Sequence, residues 1–160
     1  MVLESVKDSV NKIRKKLMDR PKVAFFIDGP NMIRKEFNID LKELRKRVEK
    51  YGRVVIGKVF LNQFASEKLI EAVANEGLEA IIALGDPELK TDVDVSVAVH
   101  AMEAIYDPDI DIIALSSRDA DFLPLLQKAK QMGKIALLVA VRPGLAISLR
   151  HAADYVELIK

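Results

Sequence analysis

No cysteine occurs among the 160 residues. Disulfides, thiolate nucleophiles, iron–sulfur clusters and cysteine-built zinc sites are therefore excluded. Histidine occurs only as His100 and His151, too few to build a zinc centre from imidazoles. Tryptophan is absent and aromatic residues make up 6% of the chain, so aromatic stacking platforms are scarce. Long hydrophobic runs are missing too. The longest is the seven-residue stretch Ile135–Val141, where a membrane helix needs about 20 residues. The first residues carry Glu4 and Asp8 instead of an apolar core, so no signal peptide is expected. Together these absences predict a cytoplasmic protein with no membrane partner.

What is present is an ordinary globular composition, 50% apolar and 31% charged. A chain of this length forms one domain and buries roughly 70% of its unfolded surface. The net charge is +1, which alone names no partner, but the charges are unevenly placed. Residues 1–20 hold six Lys/Arg against three Asp/Glu, and residues 34–58 hold nine against four. Acidic residues dominate much of the rest. Basic flanks beside an acidic centre suit a polyanion handled with metal ions; the plainer alternative is a solvated helix face rich in lysine.

Residues 1–20 read as a separate amphipathic helix. Leu3, Val6, Val10, Ile13 and Leu17 recur at alternating steps of three and four, a narrow heptad seam, and Pro21 ends it. This helix is expected to lie on its own domain, residues 21–160, with a homodimer contact as the alternative. Beyond Pro21, apolar strands alternate with helices. Strands are predicted at Val23–Ile27, Val54–Phe60, Leu78–Leu84, Ile110–Ser116 and Ile135–Val141, with Tyr155–Ile159 as an added edge. Helices begin at Asp40, Ser66 and Thr91, and another runs through Phe122–Ala129. Gly52, Gly77 and Gly133 stand as stops, and Gly85-Asp86-Pro87 and Asp107-Pro108 as turns. Such alternation specifies an α/β fold with a mainly parallel sheet and right-handed crossovers, of order near 3-2-1-4-5. In these sheets, sites lie beyond the carboxyl ends of the strands.

Carboxylates gather at those ends. The first strand runs into Asp28-Gly29-Pro30-Asn31, the fourth into Ser117-Arg118-Asp119-Ala120-Asp121, and the helix before the fourth strand starts Thr91-Asp92-Val93-Asp94. Asp94, Ala98, Ala101 and Ile105 share one helix line, which points Asp94 inward; Asp92, Ser96, His100 and Glu103 form a polar line, so His100 is expected to be exposed. Clustered carboxylates repel, and a hard divalent cation relieves that repulsion. Oxygen donors alone favour Mg²⁺ or Mn²⁺. Plainer roles exist for each residue. Asp28-Gly29 is a turn pair, Asn31 orients either a ligand or its own loop, Asp119 caps the next helix, and Asp94 completes a capping box with Thr91. Asp154 reads as structural.

At Phe26-Ile27-Asp28-Gly29-Pro30-Asn31, Val93-Asp94-Val95-Ser96-Val97-Ala98 and Leu115-Ser116-Ser117-Arg118-Asp119-Ala120-Asp121-Phe122 the sequence resembles the NYN domain family, the PIN-like nuclease group that includes LabA-like proteins. Ala152-Ala153-Asp154-Tyr155 also fits, and the likeness covers about residues 22–158. Two positions depart from many relatives: Thr91 stands where lysine is common, with Lys90 one step earlier, and His100 where an acid is common. The resemblance implies a PIN-like, Rossmann-like three-layer fold. It also implies a metal-dependent endoribonuclease in which Asp28, Asp94, Asp119 and Asp121 hold Mg²⁺ or Mn²⁺, Asn31 assists, and metal-activated water hydrolyses the phosphodiester. Lys35, Arg45, Lys90 and Arg118 are candidate contacts to the RNA backbone. With so few aromatics, weak sequence specificity on single-stranded or structured RNA is expected. The alternative is an RNA-binding or regulatory scaffold of the same fold with negligible turnover.

Overall fold

The computed structural model describes residues 1–84 and 93–159, leaving aside the side chain of Leu17. The Gly85-Asp86-Pro87 turn, Lys90, Thr91 and Asp92 lie outside the described residues. Six strands form one all-parallel sheet, β1 (Lys22–Asp28), β2 (Arg53–Asn62), β3 (Glu79–Ala83), β4 (Ile112–Ser116), β5 (Ile135–Ala140) and β6 (Tyr155–Leu158). Their spatial order is β3-β2-β1-β4-β5-β6, the expected order extended by the edge strand at β6. From Val23 to Asp28 every residue of β1 is buried, as is all of β4. A strand covered on both faces has no reason to alternate, which is why VAFFI and IIALS read as unbroken apolar runs.

The chain leaves β1 in one direction and returns past it. β1→β2→β3 steps one way through α3 (Leu41–Glu49) and α4 (Glu67–Asn75), and β3→β4→β5 steps the other way through α5 (Asp94–Ile105) and α6 (Leu123–Gln131). Right-handed crossovers then put the two helix pairs on opposite faces, giving three layers. The predicted caps are in place: Asp40 accepts from the Lys42 amide and Ser66 from the Leu69 amide. Gly77 and Gly133 adopt φ of +74° and +80° and stop α4 and α6, as left-handed glycines do. Gly52 is not such a cap. A Cβ there would meet the Pro21 carbonyl oxygen at 2.3 Å, so glycine is needed for the close passage of two backbones where the chain enters β1 and β2.

Two further expectations fail. Helix α1 (Val2–Met18) does not lie on its own domain: Leu3, Val6, Val10 and Ile13 are 77%, 55%, 55% and 61% exposed. His100 is not on an open surface. Its Nδ1 is 2.9 Å from the Lys58 Nζ and its ring meets Phe60 edge-on at 5.3 Å, so this turn of α5 sets His100 against β2. No described helix is long and apolar enough to cross a membrane. Asp154 is structural, its Oδ2 accepting from the Ala136 amide at 2.8 Å.

Candidate metal centre

The strand order reverses between β1 and β4, and the register there builds the site. Ile27 pairs with Ser116, so the next residues, Asp28 and Ser117, emerge side by side at the carboxyl edge. Both are buried. The Ser117 hydroxyl donates to Asp28 Oδ2 at 3.0 Å and accepts from the Asp119 amide at 3.2 Å. One hydroxyl therefore ties the end of β1 to the loop that follows β4. On the other side of β1, Gly29 permits a close approach to β2, since a Cβ on it would meet the Phe60 carbonyl oxygen at 2.3 Å.

Beyond Ser117 the chain makes a 3₁₀ turn, Ala120–Phe122, capped by Asp119, whose Oδ1 accepts from the Asp121 amide at 2.9 Å. The cap and the site are thus the same residue doing two things, rather than alternatives. Asp94 is the first residue of α5, which starts at the carboxyl edge of the sheet and runs back across β1 and β4. Asp94, Asp119 and Asp121 converge there. Each offers a carboxylate oxygen, and the three oxygens lie within 4.8 Å of one another. Asp94 and Asp119 are half-buried and Asp121 is exposed, so the group is open to solvent on one side. Asp28, expected as a fourth member, is not one of these three; it is buried at the end of β1, where its Oδ2 accepts from Ser117.

Asn31 takes the loop-orienting one of its two expected roles. Its Oδ1 accepts from the Arg118 amide at 3.0 Å and from the Arg118 Nε at 3.1 Å, and its carbonyl accepts from Nη2 at 2.9 Å. Nη1 donates to the Pro143 carbonyl at 2.8 Å, and the guanidinium stacks over the Phe37 ring at 4.6 Å. Arg118 thus staples the loops after β1, β4 and β5 together, using a fork of fixed geometry that lysine lacks. Burial of the guanidinium, with Arg34 nearby, lowers its pKa from the ordinary arginine value, while Asp28 and Glu36 oppose that shift. The sequence marked Arg118 as an RNA contact; three of its five side-chain N–H donors are used within the protein. Arg45 is likewise engaged, with Glu49 at 2.8 Å and with the Glu76 carbonyl. Those partners precede β2 and β3, so Arg45 sits at the amino edge, away from the carboxylates. Lys35 is exposed on the turn Lys35–Phe37, next to the Arg118 staple. Lys90 lies outside the described residues.

Sequence reasoning passed over Phe37, Pro143 and a groove that opens from the acidic group between α5 and α6, where Met102, Pro124, Leu125 and Lys128 are found. A signal for the groove existed. Helix α5 is apolar at Val95, Val97, Ala98, Val99, Ala101 and Met102, a wider arc than one sheet contact uses.

The donor set suits a hard cation. Three carboxylates from two segments, α5 and the turn after β4, all oxygen donors, are compatible with a divalent cation. Comparison with known proteins agrees with the fold. An uncharacterized protein of Methanocaldococcus jannaschii is 47% identical over 154 residues, covering 96% of this chain and 62% of that protein. The chain thus spans about three fifths the length of the curated relative it matches. A crystal structure of a protein of unknown function from Vibrio parahaemolyticus shares the fold, with a TM-score of 0.77 at 23% identity over 88% of this chain and 94% of that one. The NYN domain itself matches residues 22–159, from the first residue of β1 to the end of the sheet, and the chain belongs to the NYN domain family.

Proposed function

We propose that this protein is a divalent-metal-dependent endoribonuclease acting on single-stranded or structured RNA. The observation that carries the reading is the convergence of Asp94, Asp119 and Asp121 within 4.8 Å at the open edge of the sheet, in a chain of a PIN-like nuclease family. These three residues would hold Mg²⁺ or Mn²⁺. When bound, the ion would activate water for attack on phosphorus and offset the charge that develops on the phosphoryl oxygens.

The remaining work belongs to the chain's own groups. Asp119 is held in position by its cap to Asp121 and by the bond from its amide to Ser117. Asp28, buried at the end of β1 and joined to the Asp119 turn through Ser117, would add negative charge that favours cations. The Asn31–Arg118 staple fixes the spacing between the loops that carry Asp28 and Asp119. A site of this kind repels a phosphodiester until a cation occupies it, so substrate binding and metal binding are coupled. Lys128, in the groove that begins at Asp94 and Asp121, and the exposed Lys35 would meet phosphates, with Lys90 as a third contact from the sequence. Lacking the His pair of metal-free ribonucleases, the chain has no imidazole acid–base couple to substitute for the ion.

The test is cleavage of end-labelled single-stranded and hairpin RNAs in Mn²⁺, Mg²⁺ or EDTA, comparing the wild type with Asp94→Asn. Metal-dependent cutting that the folded variant lacks is the expected result. Identical traces from both proteins would sink the proposal, and retained RNA binding without cutting would assign the domain to scaffolding.

A further inference from the structure

An apolar groove of about 480 Å³ begins at two of the three carboxylates and runs between α5 and α6. Asp94 and Asp121 stand at its acidic end. Val95, Ala98 and Met102 line one wall at i, i+3 and i+7 along α5, and Pro124 and Leu125 line the other from the start of α6. The sheet does not need these side chains. It already covers Val97, Ala101, Ala104 and Ile105, whereas Val95 and Val99 remain 77% and 56% exposed. Large apolar surface left open beside an active centre marks a binding surface. Lys128 is the groove's cation, one turn of α6 past Pro124, and its Nζ lies 5.9 Å from the ring of the exposed Tyr106.

This gradient selects an occupant. One end accepts a phosphate through a cation, the middle accepts a flat uncharged apolar face, and the far end offers a second positive charge. A nucleotide with its flanking phosphate has that order of chemistry. From Asp94 to Ala98 is one helical turn, about 5.4 Å, a step within reach of a base from its own phosphate. Among the described residues, the groove's side chains offer no amide or hydroxyl to read a base edge, so its apolar walls would hold a base by its face. A base within a duplex is stacked and paired, and presents no face to a groove.

Resting on the ribonuclease reading, we propose that the α5–α6 groove seats an unpaired nucleobase flanking the scissile phosphate. The site therefore selects single strands, loops and ends, and tolerates any sequence. Ala98 and Met102 set that selectivity by shaping the wall against which the base lies.

The experiment compares kcat/KM in Mn²⁺ for four 5′-labelled substrates of equal length: oligoadenylate, oligouridylate, a base-free ribose-phosphate strand and a fully paired RNA duplex. Burying one base face against these aliphatic walls is worth at least about 5-fold, at roughly 25 cal/mol per Å² over about 40 Å² of apolar surface. The wild type is expected to cut both homopolymers within a few-fold of each other, and the base-free strand and the duplex at least about 5-fold less well. Filling the groove with Ala98→Trp, or stripping its wall with Met102→Ser, should bring the ratio of intact to base-free strand toward one. Circular dichroism and the Mn²⁺-induced rise in melting temperature establish that each variant is folded with its metal site intact. Equal cutting of intact and base-free strands by the wild type overturns the inference and leaves the nuclease reading standing. So does unchanged selectivity in both folded variants. A change of oligomeric state in Ala98→Trp, with RNA selectivity unaltered, would give the groove to a second copy instead. If the wild type cuts no strand in any metal, the nuclease reading falls and this inference with it.

Discussion

Ser117 holds the centre together with a single hydroxyl, given to Asp28 and shared with the Asp119 amide. Removing it leaves a buried carboxylate with one donor fewer and frees the start of the Asp119 turn. Ser117→Ala should destabilise the protein by about 1–3 kcal/mol, the usual cost of stranding a buried polar group, as read by urea unfolding. A change below about 0.5 kcal/mol would mean that this hydroxyl is dispensable. Arg118 separates two roles that the sequence could not. As a staple between loops, its loss in Arg118→Gln should lower both stability and cutting rate. The salt dependence of RNA binding should stay unchanged, whereas a phosphate contact would reduce the salt slope by about one unit. The motif was legible because all four aspartates stand at strand or helix ends, where topology alone brings them to one edge. Which oxygens meet was not legible. Strand register places Asp28 beside Ser117, whose hydroxyl donates to its Oδ2, while the three oxygens that meet within 4.8 Å come from Asp94, Asp119 and Asp121.

Strands and long helices were visible as buried runs and spaced apolar faces, since each buries enough surface to impose a period. The one-turn helix α2 (Gly29–Met32) and the turn at Lys35–Phe37 were not, because three or four residues carry no period. The edge strand β6 shows how a marginal element is secured. It contributes four residues at the sheet's rim, and α3 grips it through Glu157. Tyr51 donates to Glu157 Oε1 at 2.8 Å, Arg47 to Oε2 at 3.3 Å, and Lys50 adds a charge at 3.8 Å. Burial acts to raise the Glu157 pKa, but the bonds from Tyr51 and Arg47 and the nearby positive charges outweigh it, so the carboxyl ends below its usual 4.5. A depressed pKa means that the folded state favours the ionised form. That stability is complete above about pH 4.5 and is lost as pH falls through the folded value. Glu157→Gln should therefore be less stable than the wild type at pH 7, and the gap should narrow below pH 4.5. Tyr51 reports the alkaline side. Burial and Glu157 push its pKa up to about 12, so ionisation costs stability between pH 10 and 12. Parallel pH curves for the two proteins, measured by urea midpoint, would show that Glu157 carries no such linkage.

Across the whole molecule, α1 and the acidic edge set apart what the NYN domain needs from what it merely carries. The apolar seam of α1 touches little of the domain, and the chain is first anchored at Arg20, which reaches the Glu49 carbonyl, and at Pro21, whose carbonyl accepts from the Arg53 amide at 2.8 Å. The sequence revealed the seam but not its partner, because an apolar periodicity specifies that a face must be covered, never by what. A chain beginning at Arg20 should keep its melting temperature within about 2 °C of the full chain, less than 1 kcal/mol for a domain of this size. The acidic edge behaves in the opposite way. Three carboxylates held within 4.8 Å repel one another in the folded state and are far apart in the unfolded one, so the domain stores repulsion that a cation removes. Mn²⁺ at about 100 times its dissociation constant should add about 2.7 kcal/mol, which for a domain of this size raises the melting temperature by roughly 5–10 °C. The truncated chain should show the same rise, since α1 contributes no ligand to the group. Asp119→Asn should begin from a higher metal-free melting temperature, because one repelling charge is gone while the Asn Oδ1 can still accept from the Asp121 amide. Its response to Mn²⁺ should be largely lost. Scanning calorimetry of wild type, truncated chain and Asp119→Asn, each in EDTA and in Mn²⁺, distinguishes these outcomes. An equal Mn²⁺ shift in all three would place the ion somewhere other than the three-carboxylate group.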